Sequence, residues 1–156
     1  MIDKDIIIKD NENNYRFNYR VAGVFLNKDK IFLQKSEEDA YYSLVGGRVK
    51  YNETTKEALI REVKEELGLT LNESQLELIN VVENFFTYQE TNIHELLFIY
   101  KIFDETLNTK DEVKVLDKTT VTDKWYNLKD LVNMDLRPSI IKETLNKKGI
   151  IHNIIK

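Results

Sequence analysis

Three glutamates, Glu62, Glu65 and Glu66, fall within five consecutive positions. On a helix, residues four apart are neighbours, so Glu62 and Glu66 stand one turn above the other on a single face. Glu65 flanks that face at roughly 60° around the axis. Like charges at this spacing repel and weaken an isolated helix, so something must offset them. A hard divalent cation, Mg²⁺ or Mn²⁺, does so because it takes oxygen ligands. Arg61 is spaced to neutralise part of the charge through Glu57 and Glu65, each four residues away. One glutamate on a surface helix ordinarily faces only solvent; the cluster is what points to metal chemistry.

The neighbouring residues specify the helix that must hold these acids. Thr54 is a good N-cap, and Glu57 three positions on completes a capping box. Gly68 supplies the left-handed residue that ends the helix. Between them Leu59, Ile60, Val63 and Leu67 form an apolar stripe at helical spacing. Gly46-Gly47 precedes the helix as a glycine loop.

Taken together, this stretch resembles the Nudix box of the Nudix hydrolase family. That pattern is Gly, five residues, Glu, seven residues, Arg-Glu, an aliphatic, any residue, Glu-Glu, any residue, Gly, an aliphatic. Here Gly47, Glu53, Arg61, Glu62, Val63, Glu65, Glu66, Gly68 and Leu69 fill every position, across 23 of 156 residues. A chance match is well below about one in a million at ordinary amino-acid usage. The flanks are similar as well. Many members carry Trp-x-Leu-Pro-Gly-Gly before the box, where this chain has Tyr42-Ser43-Leu44-Val45-Gly46-Gly47. Trp125, Leu128, Leu131 and Arg137-Pro138 downstream also match many members.

The resemblance implies a fold and a chemistry. The fold is α/β, a Nudix-type α/β/α sandwich with a mixed central sheet. The chemistry is Mg²⁺-dependent hydrolysis, with Mn²⁺ as a substitute, of the pyrophosphate bond in a nucleoside diphosphate linked to some group X. The reacting phosphorus is shielded by negative oxygens, and cations neutralise that charge and activate water. By the same resemblance the metal ligands are Glu62, Glu65, Glu66 and the carbonyl of Gly46, where a glycine allows close approach to the backbone. The catalytic set it implies is Glu62, Glu65, Glu53 and Arg61, with Glu53 and Arg61 pairing to fix the loop against the helix.

The general base stays open between Glu62 and a downstream group: Glu90, Glu95 or His94. On a strand His94 and Glu95 face opposite sides, so at most one of them points at the metals. Tyr42, Phe86, Tyr88 and Trp125 are candidates to stack on a nucleobase. Arg20 and Arg48 are candidates to meet phosphate.

Composition narrows the class. The length suits one domain over residues 1–156. A net charge of −4 with no basic stripe argues against a duplex nucleic acid as partner. The chain has no cysteine, hence no disulfide and no thiolate metal site, which fits a reducing cytoplasm. Met1 to Asp10 does not read as a signal peptide, and no apolar run reaches membrane-spanning length. The expected partner is a small nucleotide. The resemblance also implies a homodimer, to which the apolar tail Ile150 to Ile155 could contribute.

Along the chain, a short strand and a loop are expected before Tyr15. Alternation at Phe17, Tyr19 and Val21 predicts a strand that continues through Leu26, with Ile31 to Leu33 as its hairpin partner. Leu76 to Phe86, His94 to Phe103 and Val121 to Tyr126 read as strands, with Tyr88 to Ile93 as a loop. Asp104 to Thr120 reads as polar and flexible. Leu128 to Val132 starts a short helix, Pro138 opens another, and Ile150 to Ile155 is a last strand. Strands around a central helix with a second helix near the end predict a mixed sheet with helices on both faces.

The leading function is therefore a Nudix pyrophosphohydrolase. Nucleoside triphosphates and nucleotide sugars rank near equal as substrates, ADP-ribose behind, capped RNA last. ADP-ribose hydrolases of the family often carry a proline about fifteen residues past the box, and none stands there. The alternative is a sensor that binds a nucleotide or ADP-ribose without turnover; a structural domain with no ligand is a third.

Overall fold

The computed structural model describes residues 3–109, 112–114 and 121–156. Its spine is β2 (Tyr15–Asn27), thirteen residues long. Along one edge β2 pairs in parallel with β7 (Thr91–Ile102), from Tyr15 opposite Asn92 to Phe25 opposite Ile102. Its other edge is shared in turn. β1 (Ile7–Asp10) pairs antiparallel with Tyr15–Asn18, and β5 (Val45–Arg48) with Arg20–Gly23. β3 (Lys30–Ser36) takes over at Leu26. The sheet therefore splits between Gly23 and Leu26, and the cleft described below opens beside that split.

Outward from β7 lie β6 (Leu76–Tyr88), antiparallel, and β11 (Ile151–Ile155), parallel to β6. Outward from β3 lie β4 (Tyr42–Ser43) and β9 (Val121–Asn127), both antiparallel to it. β10 (Leu136–Arg137) runs parallel to β4. β8 (Glu112–Lys114) pairs with β9. The sheet is thus mixed.

Helices cover both faces. α1 (Thr55–Leu67) packs Leu59 and Val63, both fully buried, against Val21, Phe25 and Val45. Burying each such side chain contributes about 1.5–3 kcal/mol. The opposite face buries Val24, Leu33, Leu97 and Ile99 beneath Leu131, Leu136 and the short α2 (Ile141–Thr144). This is the α/β/α sandwich that the sequence predicts. Among the described residues no helix is long and apolar enough to cross a membrane.

Three expectations are corrected. Tyr88 to Ile93 is no open loop: β6 and β7 meet at a two-residue turn, Gln89 and Glu90, with φ of 46° and 65°. Such turns prefer Asn-Gly, so Gln-Glu gives no signal. Asp104 to Thr120 is not uniformly flexible. Thr106–Thr109 forms a 3-10 turn, Leu107 is buried, and β8 joins the sheet; residues 110–111 and 115–120 lie outside the described residues. Finally, the helix expected after Pro138 is a single turn, α2, of only four residues; the short helix expected at Leu128 is present, as a 3-10 helix over Leu128–Asn133.

Candidate active site

α1 begins and ends as its sequence dictates. The Thr54 hydroxyl accepts from the Glu57 backbone N–H at 3.1 Å, and the Glu57 carboxylate accepts from the Thr54 N–H at 2.7 Å. Gly68 closes the helix at φ 71°. Glu57 is therefore spent on the cap and does not neutralise Arg61, contrary to the spacing argument.

Arg61 reaches the loop before the helix and pairs with Glu53, as the resemblance implies. Its Nε and Nη2 donate to the two Glu53 oxygens at 2.5 and 3.0 Å, and Nη2 also donates to the Arg48 carbonyl at 3.0 Å. Nη1 donates to Glu62 Oε1 at 2.8 Å and, more weakly, to Glu65 Oε2 at 3.4 Å. One guanidinium thus joins three carboxylates and staples the loop to the helix. The hydrogen bond from Arg61 holds Glu53 below the ordinary carboxylate pKa, and the same bond raises Arg61. Glu53 Oε2 also accepts from the Lys50 N–H at 2.9 Å.

The acids of α1 differ in burial. Glu66 is fully buried and accepts from the Gln34 side-chain amide of β3 at 3.0 Å. The Glu62 side chain is 14 % exposed and that of Glu65 44 %. Glu62 presses on Gly47: a Cβ there would lie 2.3 Å from its carboxyl group, so any larger residue would displace the carboxylate. Gly46 is tighter still, because a Cβ would fall 2.1 Å from the Val21 carbonyl oxygen. Among the described residues no three His, Asp or Glu side chains converge closely enough to hold a metal as they stand. Arg61, lying among Glu53, Glu62 and Glu65, takes the charge that a cation would otherwise meet.

A cleft of about 690 Å³ opens beside this cluster. Gly46 and Gln34 form its inner wall next to α1. Arg20, Asn84, Phe86 and Glu95 line its floor, and Tyr41, Tyr88 and Arg137 its far side. Arg137 stacks on Tyr41 at 4.5 Å and is held by Asp135 at 2.9 Å. Burial and the nearby Asp39 carboxylate push the Tyr41 phenol up.

The other candidates from the sequence sort by strand direction. Glu95 faces the cleft, whereas His94 points to the opposite side, packed between Phe85 at 4.3 Å and Phe17 at 5.3 Å. Glu90 sits in the exposed turn of the β6–β7 hairpin. Phe86 and Tyr88 line the cleft. Trp125 packs on Phe32 in the core, and Tyr42 on Tyr126. Arg20 is in the cleft; Arg48 pairs with Asp5 at 3.6 Å. Gln34, Tyr41 and Asn84 carry no motif, and only strand pairing brings them to the site; Arg137, noted in the sequence only as part of the Arg137-Pro138 likeness, also lines it.

Known proteins share this pattern and this shape. The NUDIX domain family model matches residues 16–146. Nucleoside triphosphatase NudI of Escherichia coli O139:H28 is 33% identical over 117 residues, covering 70% of this chain and 77% of that protein; NudI of Shigella flexneri matches equally. The MutT protein of Bacillus halodurans superposes with a TM-score of 0.68 at 15% identity, over 86% of each chain. The MutT NUDIX hydrolase of Burkholderia pseudomallei gives 0.65 at 20% identity, over 83% of this chain and 98% of that one.

Proposed function

We propose that this chain, which belongs to the NUDIX family of phosphoanhydride hydrolases, cleaves nucleoside triphosphates with the help of Mg²⁺ held by α1. The observation that carries this reading is the pair Glu62 and Glu66, one turn apart, with Glu66 fully buried beside the cleft and Glu62 lodged against Gly47. A carboxylate costs several kcal/mol to bury unless donors or positive charge meet it. The donor set is all oxygen, which fits a hard divalent cation and not a soft one.

Glu62, Glu66 and the Gly46 carbonyl are the residues that would hold the cation, and the more exposed Glu65 would orient its hydration. Once bound, Mg²⁺ supplies Lewis-acid polarisation of the phosphoryl oxygens. Arg61 and Glu53 keep the loop and helix in register. Glu62 Oε2, the oxygen not bonded to Arg61, takes the proton of the attacking water. Three alternatives are disfavoured on position. His94 lies on the wrong face and Glu90 in a distant turn. Glu95 is four residues along β2 and two strand spacings across from Gly46, roughly 15 Å away, and a base must reach its proton directly or through one water.

Nucleoside triphosphates are preferred over nucleotide sugars because the curated relatives bear the name nucleoside triphosphatase. Turnover is preferred over sensing because every acid of the motif is present. The reading takes residues 1–156 as one catalytic domain, supported by β1 and β11 joining the same sheet, and puts it in the cytoplasm, supported by the lack of cysteine. The test is product analysis. With Mg²⁺, a panel of nucleoside triphosphates, nucleotide sugars and ADP-ribose is expected to yield monophosphate and pyrophosphate from the triphosphates. Binding without products would favour the sensor.

A further inference from the structure

The cleft floor carries a polar row that the chemistry at α1 does not use. Strand register creates it. Asn84 on β6 lies beside Glu95 on β7, both lining the cleft, and Asn18 on β2 flanks Glu95 on its other side, outside the lining. On the same face, the row at Ala22, Ile99 and Asn80 lies toward the apolar core. Glu95 is 7% exposed. Among the described residues its charged neighbour is the Arg20 Nε at 3.9 Å, beyond hydrogen-bond range, and nothing donates a hydrogen bond to it. The buried Asn18 Oδ1 also lacks a partner. A buried polar atom left this way is costly and rare, and the neighbouring Glu95 borders the cleft. Arg20, 38% exposed at its side chain, and Phe86, two residues beyond Asn84 and 39% exposed, line the same floor.

We propose that Glu95 and Arg20 read a guanine base, a specificity that rests on the nucleotide hydrolase reading above. The buried carboxylate presents two acceptor oxygens with a guanidinium donor beside them. Guanine alone among the common bases offers two neighbouring N–H donors, at N1 and N2, next to the O6 acceptor. The donors fill both Glu95 oxygens and O6 takes Arg20. Adenine and cytosine bring one amino group, and uracil and thymine one imino N–H. Each would leave one Glu95 oxygen buried without a donor, which is the expensive outcome. The ring would stack on Phe86. The separation of Glu95 from Gly46 leaves room for ribose and phosphates between the base and α1. Arg20 thereby acts on the base and not on phosphate.

Calorimetric titration of the metal-free protein with GMP, IMP, AMP, CMP and UMP tests the assignment. IMP keeps O6 and N1–H and lacks only the 2-amino group. GMP is expected to bind about ten- to a hundredfold more tightly than IMP, and more tightly than the other three. Glu95→Gln should bring GMP to within about threefold of IMP. Equal affinity for GMP and IMP, tighter binding of CMP or AMP, or a GMP preference that survives Glu95→Gln would overturn it. The comparison on the unaltered protein does not depend on the variant folding. Hydrolysis of all four triphosphates at equal efficiency would remove the guanine site and leave the hydrolase; GMP selectivity without hydrolysis would do the reverse.

Discussion

Gly46 and Gly47 are neighbours in β5, yet a methyl group would meet different things at each. At Gly47 it would strike the end of a flexible side chain, Glu62; at Gly46 it would strike backbone, the Val21 carbonyl. The two substitutions should therefore separate catalysis from folding. Gly47→Ala is expected to leave the urea midpoint nearly unchanged while displacing the Glu62 carboxylate, at a cost of about 10²-fold in kcat if the shift is near 1 Å. Gly46→Ala is expected to lose about 3 kcal/mol of stability, because β5 must move off β2. Unfolding curves and steady-state rates on both variants check the contrast. Glu66→Gln keeps the shape of a buried side chain and removes its charge. Its far-ultraviolet circular dichroism should match the parent, and kcat should fall by orders of magnitude.

α1 shows what the sequence made legible at the scale of an element. Thr54, Glu57 and Gly68 announce both ends, and the structure has the capping box and the left-handed glycine. Thr54→Ala should cost about 1 kcal/mol by urea unfolding. The partners of Arg61 were readable in part. Helix spacing points to Glu57 and Glu65; the cap claims Glu57, Glu65 stays as a weak partner, and the main contact is Glu53 in the preceding loop, the pairing that the resemblance implies. That contact has a pH signature. Glu53 is held below its ordinary value of 4.5 by the Arg61 hydrogen bond. A lowered carboxylate stabilises the fold above its unfolded pKa and ceases to as pH falls through its folded one. The stability gap between the parent and Glu53→Gln should be full at pH 7 and shrink below about pH 4.5. A gap constant down to pH 3 would mean that the ion pair contributes nothing.

At the scale of the whole molecule, local patterns were informative and long-range pairings were not. The strands at Phe17–Leu26 and Leu76–Phe86 betray themselves by alternation and apolar runs. The Gln89-Glu90 turn does not, because its residues are poor at positive φ. The cleft was hidden for a different reason. Gln34, Asn84 and Tyr41 meet there only because β3, β6 and β4 are set at that place by pairings distant in sequence. Sequence offered four aromatic candidates; register sends Phe86 and Tyr88 to the cleft and Trp125 to the core.

The central claim is that carboxylates of α1 hold a divalent cation. Mn²⁺ binding followed by electron paramagnetic resonance, in the absence of nucleotide, tests it directly. The account predicts saturable binding to the parent protein and at least about tenfold weaker binding to Glu62→Gln and Glu66→Gln, with Glu90→Gln unchanged. Equal Mn²⁺ affinity in all four proteins would contradict it.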